Sequence, residues 1–526
     1  MTVAWNASAV DFDTIPEWLV TLSQRDFGPD LAGEASRVLF DYSHLVGLRK
    51  FEITLPNTYS IMNYHEAERV LQAWTDLAAR AKSVHSRLPA DRRDPFYYHA
   101  VYPSVAGANY HSIQIKTALN YQFATERRNS ANQLATDILD EFGIDWDLVL
   151  EYDQAAGGKW AGIMSTPKFD IGSVSWIPPS KDVLPNISYV QTRQDFDYGF
   201  GNLGIYAQGS QSAARQGRIC ASIDPAFPTE KGFKPVLPVI TPYGPDFVTV
   251  DLFHRGDSRK SIAWSADVPY VWLQFSLTSG TVYSEQLEQR INITVDWSRV
   301  PEGFQEEFDV RINWEPEPSF DNLRLTVFNN KVPEGFTGFP DAGGVISIEG
   351  SHFQRSSSAN SNSSVSFQHI PHLGSRSNSG SIALRPYHEA RGNPSASHHA
   401  WVEYEIFLFG NATGQLNSTL YINSALDTDP NLPIHYSLTL DDPSTNPTMT
   451  RLLLQPSAVG ELPDDWTTSV AEGVWKRTAV LGEVQPGKHT LRFGANSPEL
   501  YLEKIVLEFG RPAPASYLGP PETRWL

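Results

Sequence analysis

The chain has 526 residues and a net charge of −19, from 60 acidic against 41 basic side chains, so no general field draws in nucleic acid or an anionic membrane. A chain this long is organised by more than one core. A single cysteine, Cys220, excludes an intrachain disulfide, a Cys-based zinc site and an iron–sulfur cluster.

Residues 14 to about 152 carry helical spacing, and residues 1–153 read as a helical bundle. Thr14-Ile15-Pro16-Glu17 has a capping hydroxyl, a first-turn proline and a following acid, the signature of a helix start. Leu31, Ala35, Val38, Leu39, Tyr42, Leu45 and Val46 share one face, and Gly47 reads as the stop. Ala67, Val70, Leu71, Trp74, Leu77, Ala78, Ala81 and Val84 recur at three and four before Pro89. A further helix is bracketed by Pro95 and Pro103, and a long one is predicted from near Val105 to Leu139.

From 154 to 245 periodicity gives way to Gly- and Pro-rich loop and linker. Residues 246–303 then alternate as a small β-sandwich of immunoglobulin-like type, for which 190–245 and 304–335 can also supply strands. Its clearest signal is Ile291, Ile293, Val295 and Trp297 against Asn292, Thr294 and Asp296. Pro316 to Gly344 reads as a link. Residues 341–510 hold about ten short strand patterns, among them Val345–Ile348, Trp401–Phe409, Asn417–Ile422, His435–Leu440, His489–Phe493 and Leu500–Glu508, which suggest a jelly-roll sandwich. Residues 511–526 form a tail.

Few motifs carry chemistry. Gly199-Phe200-Gly201-Asn202-Leu203-Gly204 matches a dinucleotide fingerprint by letter but opens no amphipathic helix. His65-Glu66 and His388-Glu389 have Arg69 and Gly392 where the second zinc histidine should stand. His398-His399 has no third ligand by spacing. Asp427, Asp429, Asp441 and Asp442 read as a solvated acidic loop rather than a calcium site. No metal and no cofactor is expected. The better ligand surface is Lys159 and Trp160 with Trp176, where an indole face stacks on a sugar ring and the ammonium meets a carboxylate. The alternative is a tight turn with Trp160 anchoring a loop on the bundle. Sequons at Asn6, Asn186, Asn292, Asn362, Asn411 and Asn417 are N-glycosylation candidates. Nothing in the chain is a run of about 18 apolar residues that would span a membrane, and Met1 to Asn6 lacks the pattern of a signal peptide.

The pieces Arg25-Asp26-Phe27-Gly28, Arg49-Lys50 with Glu52, Thr58-Tyr59-Ser60, Glu66 to Val70, Tyr102-Pro103, Ser130-Ala131-Asn132 and Gly157-Gly158-Lys159-Trp160 keep a distinctive order. Together they resemble the region after the catalytic barrel in glycoside hydrolase family 115, the xylan α-1,2-glucuronidases. Ser516-Tyr517-Leu518-Gly519-Pro520-Pro521-Glu522-Thr523 is similar to the end of that family's C-terminal domain. After Met164 the chain reads Asp170-Ile171-Gly172-Ser173, where many members have His-Ile-Gly-Tyr.

The resemblance implies that a (β/α)8 barrel carrying the catalytic carboxylates is absent here, so no catalytic residue is carried over. It implies the noncatalytic C-terminal part of an extracellular, fungal hydrolase that removes (4-O-methyl)glucuronic acid from glucuronoxylan, inactive alone and missing its export signal. A free-standing carbohydrate-binding protein is the alternative. Homodimerisation through the bundle stays open, and apolar area left bare by a missing barrel is expected on the 30–46 or 67–84 helices or the 157–176 loop.

Overall fold

The computed structural model describes residues 14–169, 181–184, 186–196, 201–210, 235–316, 319–358, 364–392, 400–410, 414–423, 425–427, 429, 431–442, 447–454 and 460–526. The first part is helical: α1 (Ile15–Phe27), α2 (Ala32–Leu48), α3 (Glu66–Arg87), α4 (Ala90–Phe96), α5 (Tyr102–Glu126) and α6 (Ala131–Gln154). Pro16 lies in the first turn of α1, and Thr14 is its N-cap residue without a side-chain cap bond. Gly47 does not stop α2, which runs on to Leu48 before Arg49 turns extended. On α3 the stripe Ala67, Val70, Trp74, Leu77, Ala78, Ala81 and Val84 is buried as its spacing predicts. It packs into one core with Phe27, Val38, Leu45 and Ile115.

The single helix predicted from Val105 to Leu139 is two helices. α5 stops where Arg127 takes a left-handed backbone, φ 63°. The physical reason is the next two side chains. Arg128 is fully buried, 2.5 Å from Glu126 and 3.2 Å from Asp251, with the Phe123 and Phe253 rings 4.1 and 4.2 Å from its guanidinium. Asn129 donates to the Gly256 carbonyl and pairs with His254. A buried guanidinium needs its counter-charges, and the chain leaves the helix to deliver it to them. Between Pro95 and Pro103 there is no separate α-helix: Pro95 lies inside α4, and a π turn at Tyr97–Val101 runs into α5.

The middle part contains β1 (Leu203–Ala207), β2 (Val248–His254), β3 (Ile262–Asp267), β4 (Leu273–Phe275), β5 (Ser279–Val282), β6 (Glu288–Val295), β7 (Gln305–Glu315) and β8 (Ser319–Phe328). They form two four-stranded antiparallel sheets, ordered β1-β2-β6-β4 and β5-β3-β7-β8. Val250, Leu252, Ile291 and Ile293 of the first sheet share a core with Trp264, Val310, Ile312 and Leu325 of the second. Two strands fall outside the clearest sequence signal. β1 is buried along its whole length and so has no alternation to read, and β8 lies in the stretch read as a link. Gly204, the last glycine of the fingerprint-like motif, is a residue of β1. A Cβ there would stand 2.1 Å from the Phe253 ring, so its role is close packing.

The last part adds β9 (Phe339–Pro340), β10 (Val345–Glu349), β11 (Arg355–Ser357), β12 (Ser366–Ile370), β13 (Ser381–Arg385), β14 (Trp401–Leu408), β15 (Gly414–Asn423), β16 (His435–Leu440), β17 (Thr450–Arg451), β18 (Val474–Val484), β19 (Gly487–Ala495) and β20 (Leu502–Phe509). Short helices α7 (Tyr387–Gly392) and α8 (Trp466–Glu472) lie between them. One sheet runs β12-β13-β20-β15-β18 with β10 on β20; the other runs β11-β14-β19-β16-β17 with β9 on β14. Both contribute to a single core, with Ile382, Leu420 and Ile505 meeting Tyr404, Ile406 and Phe493. The six strand patterns named from the sequence of this part are all strands.

Residues 515–526 run back across all three parts. Tyr517 donates its hydroxyl to the Leu48 carbonyl at 2.8 Å, and its ring lies under the guanidinium groups of Arg49 and Arg376. The buried Lys504 ammonium donates to the carbonyls of Leu518 and Pro520 at 3.2 and 3.0 Å, and burial pulls it down to about 8. Arg524 pairs with Asp246 at 2.7 Å. Among the described residues no helix is long and apolar enough to cross a membrane.

Candidate functional site

Lys159 and Trp160 follow a short 3-10 turn at Ala155–Gly158 in which Gly157 and Gly158 have φ of 67° and 81°. Asp153 ties the turn by accepting the Gly162 N–H at 2.9 Å. The Lys159 ammonium sits over the Trp160 ring at 4.9 Å, so the two side chains engage each other. Trp160 is 41% exposed. A hollow of about 280 Å³ nearby is lined by Phe51, Tyr110, Ile163, Met164 and Lys168, and not by Lys159 or Trp160. Trp176 and the 170–173 run lie outside the described residues.

A larger cleft of about 530 Å³ opens between the end of α5 and the segment 188–196. The segment is held by two amide clamps. Asn120 of α5 donates to the Ser188 carbonyl and accepts the Ser188 N–H, at 2.9 and 2.8 Å. Asn132 of α6 does the same for Val190, at 3.1 and 2.8 Å. Each clamp satisfies a donor and an acceptor on alternate residues, and Tyr189 between them is 58% exposed. Across the cleft Tyr121 is 71% exposed. Arg127, Arg255, Gln191, Gln194, Asp195 and Phe196 are also on its walls. Arg255 is fixed by its bond to the Gly201 carbonyl at 3.0 Å and lies 4.3 Å from the Phe196 ring. Asp195 accepts from Lys260 at 2.5 Å, and that bond, first among its causes, holds its carboxyl below the usual range. Sequence reasoning missed this cleft: exposed tyrosines have no periodic signature, and the clamps join residues 58 and 68 positions apart.

A second cavity of about 450 Å³ lies where the three parts meet, with Tyr64, Pro238, Tyr243, Ala342, Arg511 and Pro521 on its walls. Close by, ligand atoms of Glu349, His352 and Glu522 lie within 4.8 Å of one another. These groups already hold the chain together. Glu349 accepts the N–H groups of Asn378 and Ser379 at 3.0 and 2.8 Å, and Glu522 accepts the Glu349 N–H and the His352 ring at 2.9 Å. Burial raises the Glu522 carboxyl, against the pull of those bonds.

The acids Asp427, Asp429 and Asp441 serve separate loops. Asp427 takes Arg451 at 2.6 Å, Asp429 the Asn431 N–H at 2.9 Å, and Asp441 the Thr490 N–H at 2.8 Å. Of the sequons, Asn186, Asn292 and Asn417 are exposed, and Asn6, Asn362 and Asn411 lie outside the described residues, as do His398 and His399. Large exposed apolar side chains of the helical part are absent from α2 and α3 among the described residues, contrary to expectation for those helices. They include Trp160 and Ile163 on the 157–163 turn and Leu139, Trp146 and Leu150 on one face of α6, with Trp18 on α1, Leu55, Tyr121 on α5 and Ile144 exposed elsewhere. α3 has no bare face because its apolar stripe is consumed by the bundle core.

The chain thus joins a helical part to antiparallel sheets, the last two of them around one core. Residues 338–522 match the model of the Glycosyl hydrolase family 115 C-terminal domain. A solved structure described as a family GH115 4-O-methyl-α-glucuronidase, BtGH115A, with specificity for decorated arabinogalactans is 11% identical, over 96% of this chain and 43% of that one, with a TM-score of 0.47. The chain therefore spans less than half the length of that structure. The C-terminal CBM6 of a laminarinase from Zobellia galactanivorans is 13% identical over 31% of this chain and 98% of that one, with a TM-score of 0.19. A Podospora anserina GH26-CBM35 β-(1,4)-mannanase is 10% identical over 32% of this chain and 28% of that one, with a TM-score of 0.18. The comparison with curated proteins returned no match.

Proposed function

We propose that this chain is the noncatalytic rear part of an extracellular family 115 α-glucuronidase that removes (4-O-methyl)glucuronic acid branches from glucuronoxylan. The observation that carries the reading is the family match over residues 338–522. In this reading the middle pair of sheets is an immunoglobulin-like sandwich, the last pair a jelly roll, and the catalytic carboxylates belong to a (β/α)8 barrel that this chain does not supply. The ladders support it: apart from β9 with β14, the named strands of the described residues pair antiparallel, unlike the parallel strands of such a barrel. Exposure of Asn186, Asn292 and Asn417 is compatible with glycosylation of a secreted protein. The test is incubation of the purified chain with glucuronoxylan oligosaccharides and chromatography of the products. No released uronic acid is expected, and release above a boiled control would overturn the reading.

A second reading, a carbohydrate-binding protein acting without a barrel, is favoured by the tyrosine-lined cleft beside α5. Binding to glucuronoxylan without release would support it, and its signature would be full affinity in the chain alone.

A further inference from the structure

We propose that the cleft between the end of α5 and the 188–196 segment binds an oligosaccharide that carries a carboxylate. The choice of a sugar rests on the reading above; the place and the charge rest on the cleft.

The apolar half of the argument is Tyr121 and Tyr189. Both rings line one cleft and are 71% and 58% exposed, so neither serves a core. A phenol ring offers an apolar face to the C–H face of a pyranose and a hydroxyl to its oxygens. The two platforms are firmly mounted: Tyr121 stands on a helix, and Tyr189 stands between the two amide clamps from Asn120 and Asn132. Such fixed rings lose little freedom when a ligand stacks on them. The volume, about 530 Å³, falls in the roughly 300–1,000 Å³ range of small-ligand clefts.

The charged half is a local reversal of sign in a chain of net charge −19. Arg127 and Arg255 line the cleft against Asp195, and beside it Arg193 stands on the 188–196 segment and Arg259 and Lys260 follow Arg255 along the chain, against Asp257. Asp257 takes Arg259 at 2.7 Å and Asp195 takes Lys260 at 2.5 Å, which leaves the balance positive on the arginine side. Arg127 donates through Nη1 to the carbonyls of Ala124 and Thr125, at 2.7 and 3.2 Å, and so covers the negative end of α5. A guanidinium has donors on all three nitrogens, so Nε and Nη2 keep the planar fork that suits a carboxylate. A neutral sugar would use the rings alone and a small inorganic anion the arginines alone. The pair of features selects a ligand with both.

Calorimetry with the full chain tests this, using xylotetraose with one 4-O-methylglucuronic acid branch and unbranched xylotetraose as probes. The branched sugar is expected to bind more tightly, with the advantage shrinking as salt is raised. The double variant Tyr121→Ala, Tyr189→Ala should weaken binding of the branched sugar by about tenfold or more. Arg127→Gly, which keeps the left-handed backbone, should bring the branched sugar down to the unbranched one. All three positions are exposed, and unchanged thermal unfolding would show that the variants fold. The proposal is overturned if neither sugar binds, if the tyrosine variant binds as the parent does, or if the branch adds no affinity. Release of uronic acid in the same mixture would overturn the noncatalytic reading and leave the cleft to be judged by its variants, so the two failures are distinguishable.

Discussion

His111 lies inside α5 with its ring stacked on Trp74 at 4.7 Å and its Nδ1 2.8 Å from the Gly107 carbonyl, so that nitrogen carries the proton. Nε2 is buried with no hydrogen-bond partner. Burial therefore pulls the imidazole down from 6.5 to about 4, against the opposing effect of the Gly107 bond. The folded value is the lower one. The contribution to stability is complete above pH 6.5, where both states are neutral, and is lost as the pH falls towards 4 and the unfolded chain takes up the proton first. The loss over that interval is roughly 3 kcal/mol. His111→Phe keeps a ring against Trp74 and removes the titration. Urea unfolding at the two ends of the interval should show the variant losing less stability on acidification than the parent, by about that amount. Equal losses would mean that other groups govern the acid limb.

Among the elements, the Asn132 clamp gives a physical role to Ser130-Ala131-Asn132, which the sequence marks only as part of a family likeness. Asn132 and Asn120 each replace a missing strand partner for the 188–190 backbone. Asn132→Ala leaves one N–H and one carbonyl of Val190 without their partner, at about 1 kcal/mol for a half-buried site. The damage should be local, because helix α6 itself gains a better helix former. Amide hydrogen exchange should speed up at Val190, while Ser188 keeps the protection given by Asn120. Unchanged exchange at Val190 would sink the clamp. The same elements show what a sequence can reveal. α3 was legible because its apolar residues recur on one face and meet a single core. Along α5, buried polar residues such as Gln114, Asn120, Gln122 and Glu126 are mixed with apolar ones, since they serve neighbouring parts of the chain rather than water. Periodicity ran through the break at Arg127 because nothing local announces that Arg128 has its partners on β2 and β6. The tyrosine cleft was hidden for the same reason: its two rings come from segments that only long-range clamps bring together.

For the whole molecule the decisive contact joins positions 452 residues apart. Glu66 at the start of α3 is fully buried, and its carboxylate accepts three N–H groups: Ser60 at 2.7 Å, Tyr517 at 3.0 Å and Leu518 at 2.6 Å. One oxygen is shared between the bundle and the returning C-terminal segment, and the other is given wholly to that segment. Glu66→Gln has nearly the same shape but turns one acceptor into a donor, which must face an N–H or rotate away from it. About 1–3 kcal/mol should be lost, concentrated where the tail meets the bundle. If the segment is a strap, hydrogen exchange at Tyr517 and Leu518 accelerates first, and the chain becomes open to carboxypeptidase at its end. Calorimetry should then show the helical part melting apart from the last sheets, where the parent melts as one unit. Tyr517→Phe is the control, since it removes only the bond to the Leu48 carbonyl and leaves both Glu66 bonds to the segment in place. A Glu66→Gln chain that melts as one transition with Leu518 still protected would show that Glu66 does not decide how the tail is held to the bundle.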